Sequence, residues 1–291
     1  ELGLLVSPDS ASDLTFLDTL APDVLQVLAF QSAQHATVQE KGPDWQDYYS
    51  PSQQLRALNF APIKRFTPLR IVILSHCEVT RPMITSLTEL PHLAALEIQY
   101  TWPSDDIFLE FPKLTSLLYL DMSRTSLSDA ALEYTGKMTS LRELDLDCTP
   151  VTDAGVRHLR YLTNLERLSL GFTGITDRSL EEVICNLTNL RALGLEGTSV
   201  TDAGMVYLSR LGSLEDLWSA GTRVGNEGVR SLSGLPSLRK LRIQRTGVDD
   251  GAVPWLSQIT SLEYLGLTNT QVSPAGIAQL RQSLPNCLIT S

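Results

Sequence analysis

Four histidines and four cysteines are the side chains of this sequence best suited to nucleophilic, acid–base or metal chemistry. Imidazole and thiolate hold a metal when several converge at fixed spacing, and a cysteine becomes a strong nucleophile beside a base. Neither pattern is written here. His35, His76, His92 and His158 fall in unrelated stretches, and Cys77, Cys148, Cys185 and Cys287 form no C-x-x-C pair. His76-Cys77 is adjacent in sequence but lacks a further ligand or base at a fixed interval, so a structural cysteine is expected. A chain of this size does not depend on disulfides. Cys77 and Cys148, at strand ends three repeats apart, should lie about 14 Å from each other at the usual strand spacing, too far for a bond. Phosphate-cradling glycine loops, G-x-S-x-G elbows and H-E-x-x-H helices do not occur. The expectation is a non-enzyme with no catalytic residue, metal or cofactor. What remains is the chemistry of recognition, carried by carboxylates, cations and aromatic rings.

Composition narrows the partners. The 291 residues are 43% hydrophobic and 19% charged, with a formal net charge of -10 and a pI near 4.9. A phosphate backbone attracts a basic surface, so nucleic acid is not expected. Anionic membranes are disfavoured for the same reason, and a protein or peptide with a basic segment is favoured. Membrane insertion is not expected, because no run approaches the roughly 18 uninterrupted apolar residues of a span. One glycosylation sequon, Asn186-Leu187-Thr188, is present. The compartment stays open.

The residues of interest are placed by a repeat. The pattern L-x-x-L-x-L-x-x-T begins at Leu117, Leu141, Leu165, Leu190, Leu214, Leu238 and Leu262, in steps of 24 residues with one of 25. Looser copies begin at Leu69 and Leu93. Within each copy, L-x-L alternates with period two and predicts a short strand with one buried face. V/I-T-D follows, as in Val151-Thr152-Asp153, where Thr or Asp is placed to cap a helix. In the next segment Val156, Leu159 and Leu162 share one apolar face at spacing three. One unit cannot bury that face alone, so the units must stack. The Thr closing each strand, from Thr101 to Thr270, is expected to satisfy backbone groups at the turn of its coil.

These repeats resemble the leucine-rich-repeat superfamily, in its ribonuclease-inhibitor-like and cysteine-containing classes. They are most similar to bacterial repeats of the form LxxLxLxGTxVTDxGLxxL, as in Gly194–Leu211. The resemblance covers Leu69 to the end. It implies an α/β solenoid, a horseshoe with parallel strands on the concave face and helices on the convex face, and it implies binding without specifying a partner.

The expected organisation is an irregular N-terminal cap over 1–68, regular repeats over 69–284 and a C-terminal capping strand over 285–291. Strands are expected at Leu4–Val6, Leu25–Phe30 and Leu55–Phe60, with a helix over Ser12–Leu20. An extended connection should lead to Leu69, and an aromatic loop should occupy Gly42–Pro51. In the last strand, Cys287 is expected at the leading leucine position. The first coil lacks an evident cap, so Glu1 is expected to lie inside a larger protein. Leu20–Leu28 is similar to the opening of an F-box but lacks the double proline-acid start.

With positions 1, 4 and 6 of each strand buried, positions 3, 5, 7 and 8 should face the hollow. Glu97, Asp121, Glu143, Asp145 and Asp147 then form an acidic zone, and Lys240, Arg242 and Arg245, with Arg239, a basic one. Phe172 and Trp218 lie between them beside Gly171, Gly194, Gly197 and Gly221, while Tyr119 and Tyr264 flank the zones at position 3. Like charges on adjacent strands repel, and aromatic anchors are favoured at interfaces. The sequence therefore predicts a non-catalytic protein- or peptide-binding module, part of a larger protein, with these residues as its partner-binding site. Two other functions remain open: the substrate-recognition subunit of an F-box ubiquitin ligase, and the targeting domain of an attached enzyme.

Overall fold

The computed structural model describes residues 2–6, 25–30, 60–76 and 78–291, and the chain divides into two compact units, Glu1–Leu141 and Arg142–Ser291. In the first unit, β1 (Leu2–Val6), β2 (Leu25–Phe30), β3 (Ile71–Ile73), β4 (Ala95–Glu97) and β5 (Tyr119–Asp121) pair in chain order, all parallel. The early strands at Leu4–Val6 and Leu25–Phe30 are therefore present. β2 pairs directly with β3, Val27 opposite Ile71, and the strand expected at Leu55–Phe60 lies, but for Phe60, outside the described residues. The approach to Leu69 is not extended: Ala61–Arg65 form a 3-10 helix. Phe60, Ile63, Phe66 and Leu69 are all buried, and their spacing of three matches the period at which 3-10 side chains eclipse. The helix expected over Ser12–Leu20, the loop at Gly42–Pro51, and His35 and Cys77 lie outside the described residues.

In the second unit, β6 (Glu143–Asp145), β7 (Arg167–Ser169), β8 (Ala192–Gly194), β9 (Asp216–Trp218), β10 (Lys240–Arg242), β11 (Tyr264–Gly266) and β12 (Leu288–Thr290) again pair in parallel and in order. Nearly equal repeat lengths keep the register, the one extra residue before β8 being taken up outside the strands, so Leu144, Leu168, Leu193, Leu217, Leu241 and Leu265 form one buried column. Leu165, Leu168 and Leu170 of a single coil are each 0% exposed, and each such side chain contributes roughly 1.5–3 kcal/mol. At the C-terminus, Leu288 stands opposite Tyr264 and Ile289 opposite Leu265. Cys287 thus occupies position 2, not the leading leucine position. Ile289, at 7% exposure, is the residue that seals the core.

The return segments are tighter than a continuous α-helix. α1 (Arg81–Leu87) and α2 (Asp129–Thr135) belong to the first unit. In the second, α3 (Asp153–Val156) is a single turn that continues as a 3-10 helix, Arg157–Tyr161. Val156, Leu159 and Leu162, at spacing three, are all 0% exposed. α4 (Asp177–Glu182) and α5 (Asp202–Met205) repeat this pattern. α6 (Asn226–Leu232), α7 (Val253–Leu256) and α8 (Pro274–Ser283) complete the unit.

Each corner between strand and helix is stitched to the next. Thr152, Thr176 and Thr201 cap their helices, accepting from Ala154, Arg178 and Ala203 amides. The neighbouring aspartates reach across coils instead. Asp177 accepts from the Thr201 amide at 2.7 Å and its hydroxyl at 2.6 Å, and Asp153 serves Thr176 in the same way. Asp153 also accepts from the Ser179 hydroxyl at 2.6 Å. Where the next coil carries Gly204 in place of Ser179, a Cβ would lie 2.3 Å from Asp177 Oδ1. At Gly204 the absence of a Cβ is what admits this approach. At the strand ends, Thr101, Thr125, Thr149, Thr173, Thr198, Thr222, Thr246 and Thr270 each donate to the carbonyl three residues back at 2.6–2.7 Å. Each such bond contributes about 1 kcal/mol.

Candidate functional site

Position 8, just before each of these threonines, is left-handed in every described coil of the repeat. Gly197 and Gly221 are the two glycines there, at φ of 64° and 68°. The others are His76, Tyr100, Arg124, Cys148, Phe172, Arg245 and Asn269, with φ from 55° to 61°. An L-residue in this region costs on the order of 1 kcal/mol, and the cost puts a side chain on the strand face. In the first unit that column is a stack: His76 lies 4.6 Å from Tyr100, and Arg124 caps the same ring at 5.2 Å.

The first unit's candidate carboxylates are less available than the sequence suggests. Asp121 is only 5% exposed and accepts from the Ser123 amide at 2.8 Å, so it is not a free charge on the face. Burial raises its pKa above the ordinary value, against the lowering effect of Ser123. Glu97 is half-buried, and burial together with the charge of Asp121 raises its pKa. Tyr119 is half-buried on β5.

In the second unit, Glu143 is paired with Arg167 at 3.1 Å. Asp145 accepts from the Asp147 amide at 2.9 Å, and Asp147 accepts from the Gly171 amide at 2.6 Å. All three carboxylates remain partly open. The basic zone is also partly neutralised. Arg242 donates to Asp216 at 2.5 Å, and its guanidinium lies 5.2 Å from the Trp218 ring and 5.1 Å from the Tyr264 ring. This sandwich of three side chains from β9, β10 and β11 makes a stiff aromatic platform. Lys240 is farther from Asp216, at 3.9 Å, while Arg239 pairs with Glu263. Arg245 is exposed and has no ion pair among the described residues. Phe172 is 64% exposed and leans over Gly197, where a Cβ would be 2.6 Å from its ring.

Two residues acquire their meaning from the structure. Ser219, at an inward leucine position, is 0% exposed; its hydroxyl faces the Arg242 carbonyl at 3.4 Å, and its own carbonyl accepts from Thr222. Glu196, absent from the expected site, extends across bare backbone: its Oε2 lies 3.3 and 3.2 Å from where Cβ atoms of Gly171 and Gly194 would be. Burial raises its pKa to about 7; Asp147 and Asp216 add to the rise and Arg242 opposes it. In the sequence its only signal is an acid at position 7 flanked by glycines. Trp218 packs over the same Gly194. Asp147, Glu196, Trp218, Arg242 and Tyr264 thus form one connected surface, bordered by Phe172.

Among the described residues, no group of three or more His, Cys, Asp or Glu side chains is arranged to hold a metal, and no helix is long and apolar enough to cross a membrane. A sequence model of the leucine-rich repeat region matches residues 49–286. The chain belongs to the leucine-rich repeat family. No curated protein sequence matches it. Among solved structures it is similar to an internalin (inlF) from Listeria monocytogenes, at 16% identity and a TM-score of 0.58, over 91% of this chain and 78% of that one. It is also similar to internalin C2 from the same organism, at 23% identity and a TM-score of 0.55, over 76% of this chain and 87% of that one. These likenesses are to the fold: parallel strands in an open sheet alternating with helices. Leucine-rich repeat regions are modules that usually mediate protein interaction.

Proposed function

We propose that the chain is a non-catalytic recognition module and that it binds a protein or extended peptide on the strand face of its second unit. The Trp218–Arg242–Tyr264 sandwich carries this reading. Rings held rigidly by a cation lose little freedom on binding, and interface energy concentrates in such anchors. Basic groups of the partner would lie over Asp145 and Asp147, and an apolar side chain would lie against Trp218 and Phe172. The F-box alternative has less support, since Leu25–Phe30 is a parallel strand whereas an F-box is helical.

The test is affinity capture from native extract with the parent chain and its Asp145→Arg/Trp218→Ala variant. A protein retained only by the parent, and released by added salt, is the expected result. Equal retention by both chains would place the binding surface elsewhere.

A further inference from the structure

The strand-entry rim of the second unit holds a cavity of about 310 Å³ lined by Arg167, Arg191, Ala192, Glu215, Asp216, Arg239, Lys240 and Glu263. Its origin is one small residue. The position-3 column reads Glu143, Arg167, Ala192, Asp216, Lys240 and Tyr264, and Ala192 alone has no side chain beyond Cβ. The gap it leaves is 4% exposed at its floor and walled by charged chains from the adjoining coils.

The donors around this gap exceed the acceptors. Along the rim, Arg191 pairs with Glu215 at 2.6 Å and Arg239 with Glu263, so those charges cancel. Asp216 is taken by Arg242 from outside the cavity, at 2.5 Å. Lys240 lies 3.9 Å from Asp216, beyond hydrogen-bond distance, and its ammonium donates to no described residue. On the opposite wall, Arg167 donates through Nε to Glu143, leaving its two terminal nitrogens without a protein acceptor among the described residues. Both cations are half-exposed, at 49% and 50%. They stand three coils apart, about 14 Å along the sheet at the usual strand spacing. That span exceeds one carboxylate and matches an extended peptide, in which alternate residues are about 7 Å apart.

We propose that this cavity receives an acidic stretch of the partner peptide, with carboxylates on Lys240 and Arg167 and a small residue over Ala192. This deepens the strand-face reading and rests on it. Arg242, occupied by Asp216 and by two rings, is a support for the platform, and Lys240 with Arg167 is the anion-binding pair.

The probes are fluorescein-labelled hexaglutamate and hexalysine, titrated by anisotropy against the parent chain and its Lys240→Ala and Arg167→Gln variants. Both substitutions replace half-exposed side chains, and thermal melting verifies folding. Saturable hexaglutamate binding that weakens about tenfold or more in each variant is expected. Ala192→Leu, which fills the floor and keeps both charges, should weaken it as well. Inorganic phosphate at equal ionic strength should compete no better than chloride; efficient competition would mean a small-anion site and overturn the peptide assignment. Unchanged affinity in the charge variants, or no saturable binding, overturns the cavity's role. If the captured partner still depends on Trp218 in that case, the strand-face reading stands and only the cavity falls.

Discussion

The corner and the strand face of the second unit are built from the same residue types, yet they treat charge in opposite ways. At the corner, Asp153 and Asp177 each accept several hydrogen bonds from the next coil. Burial alone would raise the pKa of Asp153, but the bonds from Ser179 and Thr176 outweigh it and hold the carboxyl below its ordinary value. On the face, burial of Glu196 outweighs the lowering bond from its own backbone amide, and its pKa rises to about 7. Saturated polar groups stabilise a coil; unsaturated ones are available to a ligand. The contrast separates the residues that hold the solenoid together from those that give this one its surface.

Crowding at the corner should produce the largest effect. Gly204→Val would drive a branched side chain into Asp177 Oδ1, which lies only 2.3 Å from where a bare Cβ would sit. A loss of about 3 kcal/mol is expected in urea denaturation. Gly212→Val, at a site where a Cβ meets nothing within 4 Å, should change stability far less. Equal losses at both sites would break the distinction.

Removing one corner hydroxyl should have a smaller effect. Thr176→Val deletes the 2.7 Å bond to Asp153 and the cap on the Arg178 amide. The expected cost is about 1 kcal/mol, read as a lower melting temperature.

The most diagnostic effect depends on pH. Glu196 holds its proton more tightly folded than unfolded, so its contribution is fully present below its unfolded value near 4.5 and is lost as pH rises through about 7. Asp153 behaves in reverse: its contribution is present above its unfolded value near 3.8 and is lost as pH falls through its lower folded value. Glu196→Gln should therefore stabilise the chain at pH 8 relative to the parent and change it little at pH 4. Identical parent-to-variant differences at the two values would contradict the Glu196 environment.

The repeat is legible in the sequence because it is periodic: every buried leucine and every strand-closing threonine recurs at one interval, and a single register satisfies all of them. The irregular elements are less so. The short step before Leu69 leaves no room for a convex helix and so predicts an extended chain, yet apolar residues at spacing three select a 3-10 turn over Ala61–Arg65. Cys287 falls one residue from its expected place, because Cys and Leu both suit a leading position and only the pairing of Ile289 with Leu265 decides between them. On the face, composition locates the aromatic and charged columns but not their pairings. Whether Arg242 is a free cation or the centre of a sandwich depends on rotamers, and whether Glu196 is solvated depends on the missing side chains of Gly171 in the preceding coil and Gly194 in its own.

The most direct test of the division between corner and face is a paired measurement on Thr176→Val and Trp218→Ala, with melting temperature and affinity for the captured partner read on both. Thr176→Val is expected to lower the melting temperature and leave affinity unchanged. Trp218→Ala is expected to weaken binding by roughly 30-fold, about 2 kcal/mol, with the smaller change in melting. Loss of affinity in Thr176→Val with none in Trp218→Ala would contradict the division.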